Sequence, residues 1–484
     1  MTDTTESELD VRRSDSLEEK DDIAPEGIRD IGADLYAEVE QLSPEELEKE
    51  GIRVRKMLDR RILPITLSSY NGADFANPTR YAFWAIPANL LIQRLPLAKY
   101  MGGVIIIWAG LVIAHIGAKN YAGILVLRFL LGMAEACVSP CLMNFTSMFY
   151  KRSEQPLRMS LWMSGNGMAT MIGALLSFGL GHSHNTNLHS WQLILLTIGL
   201  MNFATGCLFL WLMPDSPSSA KFLTHRQRVV AVQRVSENMI GVKTKQIKPR
   251  QALEALHDPK VLFSLGIGIG CGVINGGVSN FSSALIKGFG FNGIYATLLQ
   301  LPTGAIQAVV VPICGLVATY VRDSRCLVLA AVCLIPFGGL LGIRFTSLDH
   351  RWALVGCTWL QYIIGAPIIV SWNLLATNVA GHTKRSMANG MWFTMFAAGH
   401  VAGAKIFFAR EAPRYHSAVT GLLICYAGMI VLALASYVYM KWENLRRDRK
   451  ASPDDSLTRR EEAAILDGFK DLTDMESENF RYAL

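Results

Sequence analysis

The sequence predicts an all-α polytopic membrane protein, and three observations carry the prediction. Of 484 residues, 51% are hydrophobic and only 18% charged, against about 25% charged in a soluble globular chain. From position 100 onward, ten mostly apolar runs approach or exceed the roughly 20 residues that a bilayer crossing takes. The loops between those runs carry Lys and Arg mainly on one side, the bias that orients helices in a membrane. The bases are scattered in short loops rather than gathered on one face, which argues against nucleic acid as a partner.

The elements follow in order. Residues 1–50 hold 18 acids and 5 bases, while the chain as a whole is at +6. Residues 1–58 therefore read as an acidic, solvated cytoplasmic tail. It has no basic segment leading into an apolar core, so a cleavable signal is not expected. A short helix is expected over 44–58, with Pro44 at its start.

The ten candidate spans are 101–118, 123–149, 159–180, 191–213, 261–284, 294–319, 326–344, 352–374, 388–408 and 418–440. Between the fourth and fifth lies 214–260, a polar segment with nine Lys or Arg. The chain then divides into an N-terminal bundle (59–213), a cytoplasmic linker (214–260), a C-terminal bundle (261–440) and a cytoplasmic tail (441–484). With the linker cytoplasmic, 18 Lys or Arg fall on its side, against six on the other: Lys119, Lys287, Arg344, Arg351, Arg410 and Arg414. A cytoplasmic N-terminus needs an even number of crossings before Arg94. Only 32 residues separate Arg61 from Arg94, so a short hairpin, or a shortened pair of spans, is expected there.

The chemistry concentrates in RFLLGMAEACVSP, residues 128–140. Arg128 and Glu135 are seven residues apart, hence on one helix face and about 10 Å apart along the axis. A charge inside a span costs at least a few kcal/mol, so it normally faces a bundle interior or a watered cavity. One reading makes Arg128 an anion clamp and Glu135 a protonatable carboxylate, since desolvation disfavours the charged form. The plainer reading lets Arg128 snorkel to the interface while neighbouring polar groups hold Glu135.

Asn144, Asn166, Asn280, Asn373 and Asn389 lie in or beside apolar runs and either bridge helices or line a solute pocket. Asn166, Asn280 and Asn373 are the expected substrate contacts. His400 and Lys405 are weaker candidates of the same kind. The glycines of GNGMATMIGALLSFGLG (165–181) and GIGIGCG (266–272) follow no strand, so they read as close-packing positions rather than nucleotide loops. The nine Cys sit mostly in apolar runs and read as core residues. The three His of HSHNTNLH (182–189) lack an acidic or Cys partner nearby, and no metal or cofactor is expected. No nucleophile–base–orienter set suggests an enzyme.

Two bundles joined by a basic linker, with RFLLGMAEACVSP followed by FYKRSEQPLRMSLWMS, resemble the major facilitator superfamily. Within it the chain resembles the anion:cation symporters, and more closely their fungal allantoate permease-like branch. The closer likeness rests on PDSPSSAKFLT, ENMIGVKTKQIK, ALHDPKVLF, NGGVSNFSSALIKGFGF, NVAGHTKRS and DLTDMESENFRYAL. It runs from about residue 83 onward.

The resemblance implies a fold of two six-helix bundles and proton-coupled symport of a small organic anion by alternating access; a monomer is expected, and the lack of a retrieval signal favours the plasma membrane. Its R-x-x-x-G-x-x-E pattern falls on Arg128, Gly132 and Glu135. The chain departs from the pattern between RRILPITLSSYN and YAFWAIPANLLIQR, where about 40 residues of a first hairpin are missing. A non-transporting sensor, and an exporter of a small secondary metabolite, are the alternative expectations.

Overall fold

The computed structural model describes residues 44–69, 91, 95–151, 153–181, 188–236, 248–291, 293–321, 323–412, 414–450 and 472–484. The expected hairpin between Arg61 and Arg94, and His182 and His184 of the His-rich loop, lie largely or wholly outside them. The described chain is helical throughout its regular elements.

Helix α1 (Pro44–Ser69) runs eleven residues past the end expected from sequence. Pro64 lies inside it, where a proline removes one backbone bond and crowds the carbonyl one turn earlier. The buried stripe Val54, Leu58, Ile62 and Ile65 recurs at helical spacing and carries the helix through that gap. Helices α2 (Leu97–Ala114) and α3 (Tyr121–Phe149) follow. A broken pair, α4 (Gln155–Met163) and α5 (Gly165–Gly181), comes next, and then α6 (Ser190–Leu212).

In the linker, α7 (His225–Ser236) packs on α1, and α8 (Pro249–His257) leads into the second half. That half comprises α9 (Pro259–Gly288), α10 (Gly293–Leu298), α11 (Leu301–Tyr320) and α12 (Arg325–Phe345). It continues through α13 (Arg351–Trp359), α14 (Gly365–Asn378), α15 (His382–Lys405) and α16 (His416–Lys450).

Among the described residues, eight stretches are long and apolar enough to cross a membrane. The other two expected spans fall on α4–α5, broken at Ser164, and on α15, which small and polar residues make less apolar.

Close backbone approach sets the packing of the second half. A Cβ on Gly272 or Gly276 of α9 would overlap the carbonyl oxygens of Phe396 and His400 on α15. A Cβ on Gly399 or Gly403 of α15 would overlap those of Ile269 and Val273 on α9. The two backbones therefore touch along two turns, the geometry that small residues permit in membrane helices. The other glycines of GIGIGCG meet side chains, Gly266 and Gly270 against Leu432 and Met429 of α16 and Gly268 against Trp392.

Ion pairs tie the linker face together. Arg158, at the start of the α4–α5 span, donates from Nε and Nη2 to both carboxylate oxygens of Asp59 on α1, at 3.2 and 2.8 Å. Glu154 accepts from Arg234 of α7 at 2.9 and 3.0 Å. Asp215, in the PDSPSS turn, accepts from the backbone N–H groups of Ala98 and Lys99 at 3.1 and 3.3 Å. It thereby satisfies two of the open N–H groups at the N-terminus of α2.

Residues 472–484 return to the same face of the second half. Asp474, fully buried, sits between Lys260 of α9 and Lys384 of α15. Lys384 also meets Asp258 at 2.7 Å and Glu254 at 2.8 Å. Arg447 of α16 donates to the carbonyls of Asp474, Ser477 and Phe480 and to the Tyr482 hydroxyl. The Tyr482 ring lies over Lys260, with the ammonium 4.0 Å from its centroid. Asn378, ending α14, exchanges two 2.8 Å hydrogen bonds with the Ala483 backbone. Gly381, at φ 86°, turns the chain between α14 and α15 where a Cβ would press on Thr473.

Burial alone would raise the Asp474 carboxyl, but Lys260 and Lys384 hold it below the usual aspartate range. A carboxyl lowered by folding contributes stability above its unfolded value, and that contribution is lost as pH falls through the folded one. The segment is therefore expected to stay docked from neutral pH down to about pH 4, the unfolded aspartate value. Limited proteolysis should cut it at a constant rate over that range and faster only below it.

Candidate functional site

The two halves meet where α4 and α5 lie against α11 and α14. At mid-height, Gly167 of α5 and Gly304 of α11 face each other so closely that a Cβ on either would come 2.5 Å from the other's carbonyl oxygen. Nearer the linker face, a Cβ on Gly315 would overlap the Ser160 side chain. The Asn373 amide also reaches the Met159 sulfur at 3.7 Å. The linker side of this seam is thus closed.

The structure distributes the expected site residues over different levels. Glu135 is the central residue of α3, equidistant from Tyr121 and Phe149, and is 8% exposed. Arg128 lies two turns closer to the far side and is exposed. Asn166, half-buried, sits next to Gly167 on the seam. Asn373 is buried on the linker side of α14. Asn280 is exposed on the far third of α9 and folds its amide back onto the Gly276 carbonyl at 2.7 Å. The five therefore do not form one compact shell: Glu135 and Asn166 stand near mid-height, and the other three lie toward one face or the other.

The weaker candidates part company. Lys405 is exposed, whereas His400 is buried in the α9–α15 contact with Asn275 3.4 Å from its Nδ1.

Sequence reasoning missed Gln307. It lies in the first half of α11, is 4% exposed, and its side-chain oxygen has no hydrogen-bond partner among the described residues. Its neighbours are Gly167 of α5 and Gly365 of α14, so it stands between the halves at the level of Asn166. A buried polar atom without a partner is uncommon, and one on the seam suits a solute or water that arrives when the halves part. The signal was present as a lone Gln inside LPTGAIQAVVVPICG, passed over beside the more numerous Asn residues.

Membrane-length helices in two sets, closed over a seam with polar groups at mid-height, define a solute transporter of the two-bundle kind. The sequence profile of the Major Facilitator Superfamily matches residues 65–404, and the chain belongs to that superfamily. An uncharacterised transporter of Schizosaccharomyces pombe is 32% identical over 82% of this chain and 75% of its own length. The allantoate permease of Saccharomyces cerevisiae is 32% identical over 82% of this chain and 74% of its own. Among solved structures, the Escherichia coli fucose:proton symporter shares the fold with a TM-score of 0.55 and 14% identity, covering 81% of this chain and 96% of that one. The protein is therefore a multi-pass membrane transporter, not an enzyme.

Proposed function

We propose that the protein is a proton-coupled symporter of a small organic anion, allantoate or a similar ureido carboxylate, working by alternating access. One observation carries the reading: a carboxyl, Glu135, is buried at the midpoint of a span, with Arg128 two turns away on the same helix face. The likeness to the allantoate permease supports the choice of solute.

The coupling follows from charge. A carboxylate in the low-dielectric middle of a membrane is costly. Protonation of Glu135 removes that charge, and an anion bound at Arg128 offsets the other. The loaded protein then carries no net charge on these two groups as the halves rock, whereas a half-loaded one carries a charge through the bilayer centre. Gln307, packed on Gly167, and Asn166 beside that glycine supply neutral hydrogen bonds suited to ureido groups. Asn373 and Asn280 serve as entry contacts on either side. The linker face is cytoplasmic in this reading, with both termini on it, and the membrane is the plasma membrane.

The test is uptake of radiolabelled allantoate into vesicles holding the purified protein, with a pH gradient imposed. Accumulation driven by an acidic exterior supports the reading, and surface-competent protein without flux in either direction sinks it. Arg128→Ala is expected to lower apparent affinity by about 10- to 150-fold, the worth of a charge-assisted hydrogen bond of about 1.5–3 kcal/mol. An unchanged uptake curve in that variant would remove Arg128 from the site.

A further inference from the structure

We propose that residues 472–484 are a latch that holds α14 in place and so sets how readily the linker side of the seam opens. The consequence for transport rests on the alternating-access reading, but the latch itself does not.

Two independent features of α14 point to this role. The first is a hinge. The span from Arg351 to Asn378 is not one helix: α13 gives way to a 3₁₀ segment, Leu360–Ile364, before α14 starts at Gly365 with Pro367 close behind. A 3₁₀ stretch inside a span marks a place where one half can swing against the other. Here Gln361 pins the break to α12 by donating to the Pro336 carbonyl at 2.9 Å. The second is that α14 is a wedge. All fourteen of its residues are buried, and it touches the first half through Asn373 and Met159. Opening the linker side must move that contact.

The returning segment grips the free end of this hinged piece. Asn378, the last residue of α14, is bonded twice to Ala483, and Leu374 packs with Tyr482 and Leu484. The turn that follows is held at Lys384, whose ammonium group is shared by Asp474, Asp258 and Glu254. The segment is in turn tied to α9 by Lys260, to α12 by the Arg325 backbone N–H on the Leu484 carbonyl at 2.8 Å, and to α16 by Arg447. With the latch seated, α14 moves only with the whole second half. With it released, α14 is free to bend at residues 360–365.

Hydrogen exchange read by mass spectrometry on the purified full-length protein tests this, because it reports local opening without any substrate. Asp474→Asn removes the charge between the two lysines. Exchange across 365–378 is expected to rise about tenfold, the scale of one lost charge-assisted hydrogen bond, with α9 and α12 unchanged. Asp474→Glu should restore protection in part. Tyr482→Phe, which loses only the hydroxyl between Asp474 and Arg447 at 3.0 and 2.9 Å, should give a smaller rise in the same place. The milder change keeps the test alive if Asp474→Asn does not fold. Unaltered protection of α14, or an equal rise over every helix of the second half, overturns the latch. Variants that show the expected exchange pattern, in a protein that moves no allantoate, would overturn the symport reading and leave the latch standing.

Discussion

Glu135→Gln is expected to abolish accumulation of the anion against its gradient while leaving exchange of internal for external anion intact. The amide is nearly isosteric with the protonated carboxyl and is permanently neutral. The variant is thus fixed in the state that crosses the membrane with bound anion. It can still rock when loaded, so labelled anion should exchange at a rate within a few-fold of wild type. It has no proton to release, so an imposed pH gradient should no longer drive uptake, and the ratio of internal to external label should fall to unity. The dependence of uptake on external pH should flatten for the same reason. Glu135→Asp should retain coupling with altered pH dependence, because the shorter carboxyl still titrates. If Glu135→Gln still concentrates label at an acidic exterior, the coupling proton resides elsewhere. His400 is then the next group to substitute, being buried at the level of Asn275 in the other half.

How much of this was legible before the structure differs from element to element, for physical reasons. The spans were legible because a run of about 20 apolar residues has few other uses. Glu135 and Arg128 were legible because charges are scarce in such runs. Partnership was not. FYKRSEQPLR signals only a polar turn until the fold brings Arg158 to Asp59 and Glu154 to Arg234, residues 99 and 80 positions away. PDSPSS reads as a loop, yet Asp215 caps a helix 117 residues earlier. DLTDMESENFRYAL has the composition of a solvated tail. What buries Asp474 is a pair of lysines, 214 and 90 residues distant, which no local pattern contains. Gln307 shows the opposite limit: the residue was visible, but its meaning comes from Gly167 in the other half.

The largest effect on the fold is expected from Gly276→Leu. Gly276 faces the His400 backbone so closely that even a methyl group overlaps its carbonyl oxygen. Backbone cannot rotate away as a side chain tip can, so α9 and α15 must separate. Separation also loosens the neighbouring contacts, Gly272 on Phe396 and Gly403 on Val273. Overpacking a well-filled core by a few methylenes costs about 1–3 kcal/mol, and a rigid obstacle leaves less room to relax. Gly276→Ala is therefore expected to lower stability by about 2 kcal/mol, and Gly276→Leu by more than about 3 kcal/mol, enough to leave little folded protein when total stability is about 5–15 kcal/mol. Gly338→Ala is the matched control. It lies on α12 with none of the described residues within 4 Å of the place its methyl group would take, and replacing a helical glycine by alanine is favourable by up to about 1 kcal/mol. Thermal unfolding followed by size-exclusion fluorescence should rank the proteins Gly338→Ala at or above wild type, then Gly276→Ala, then Gly276→Leu. If Gly276→Leu melts with wild type, α9 and α15 can part without cost. The hinge at 360–365 would then have a competitor for the place where the second half bends.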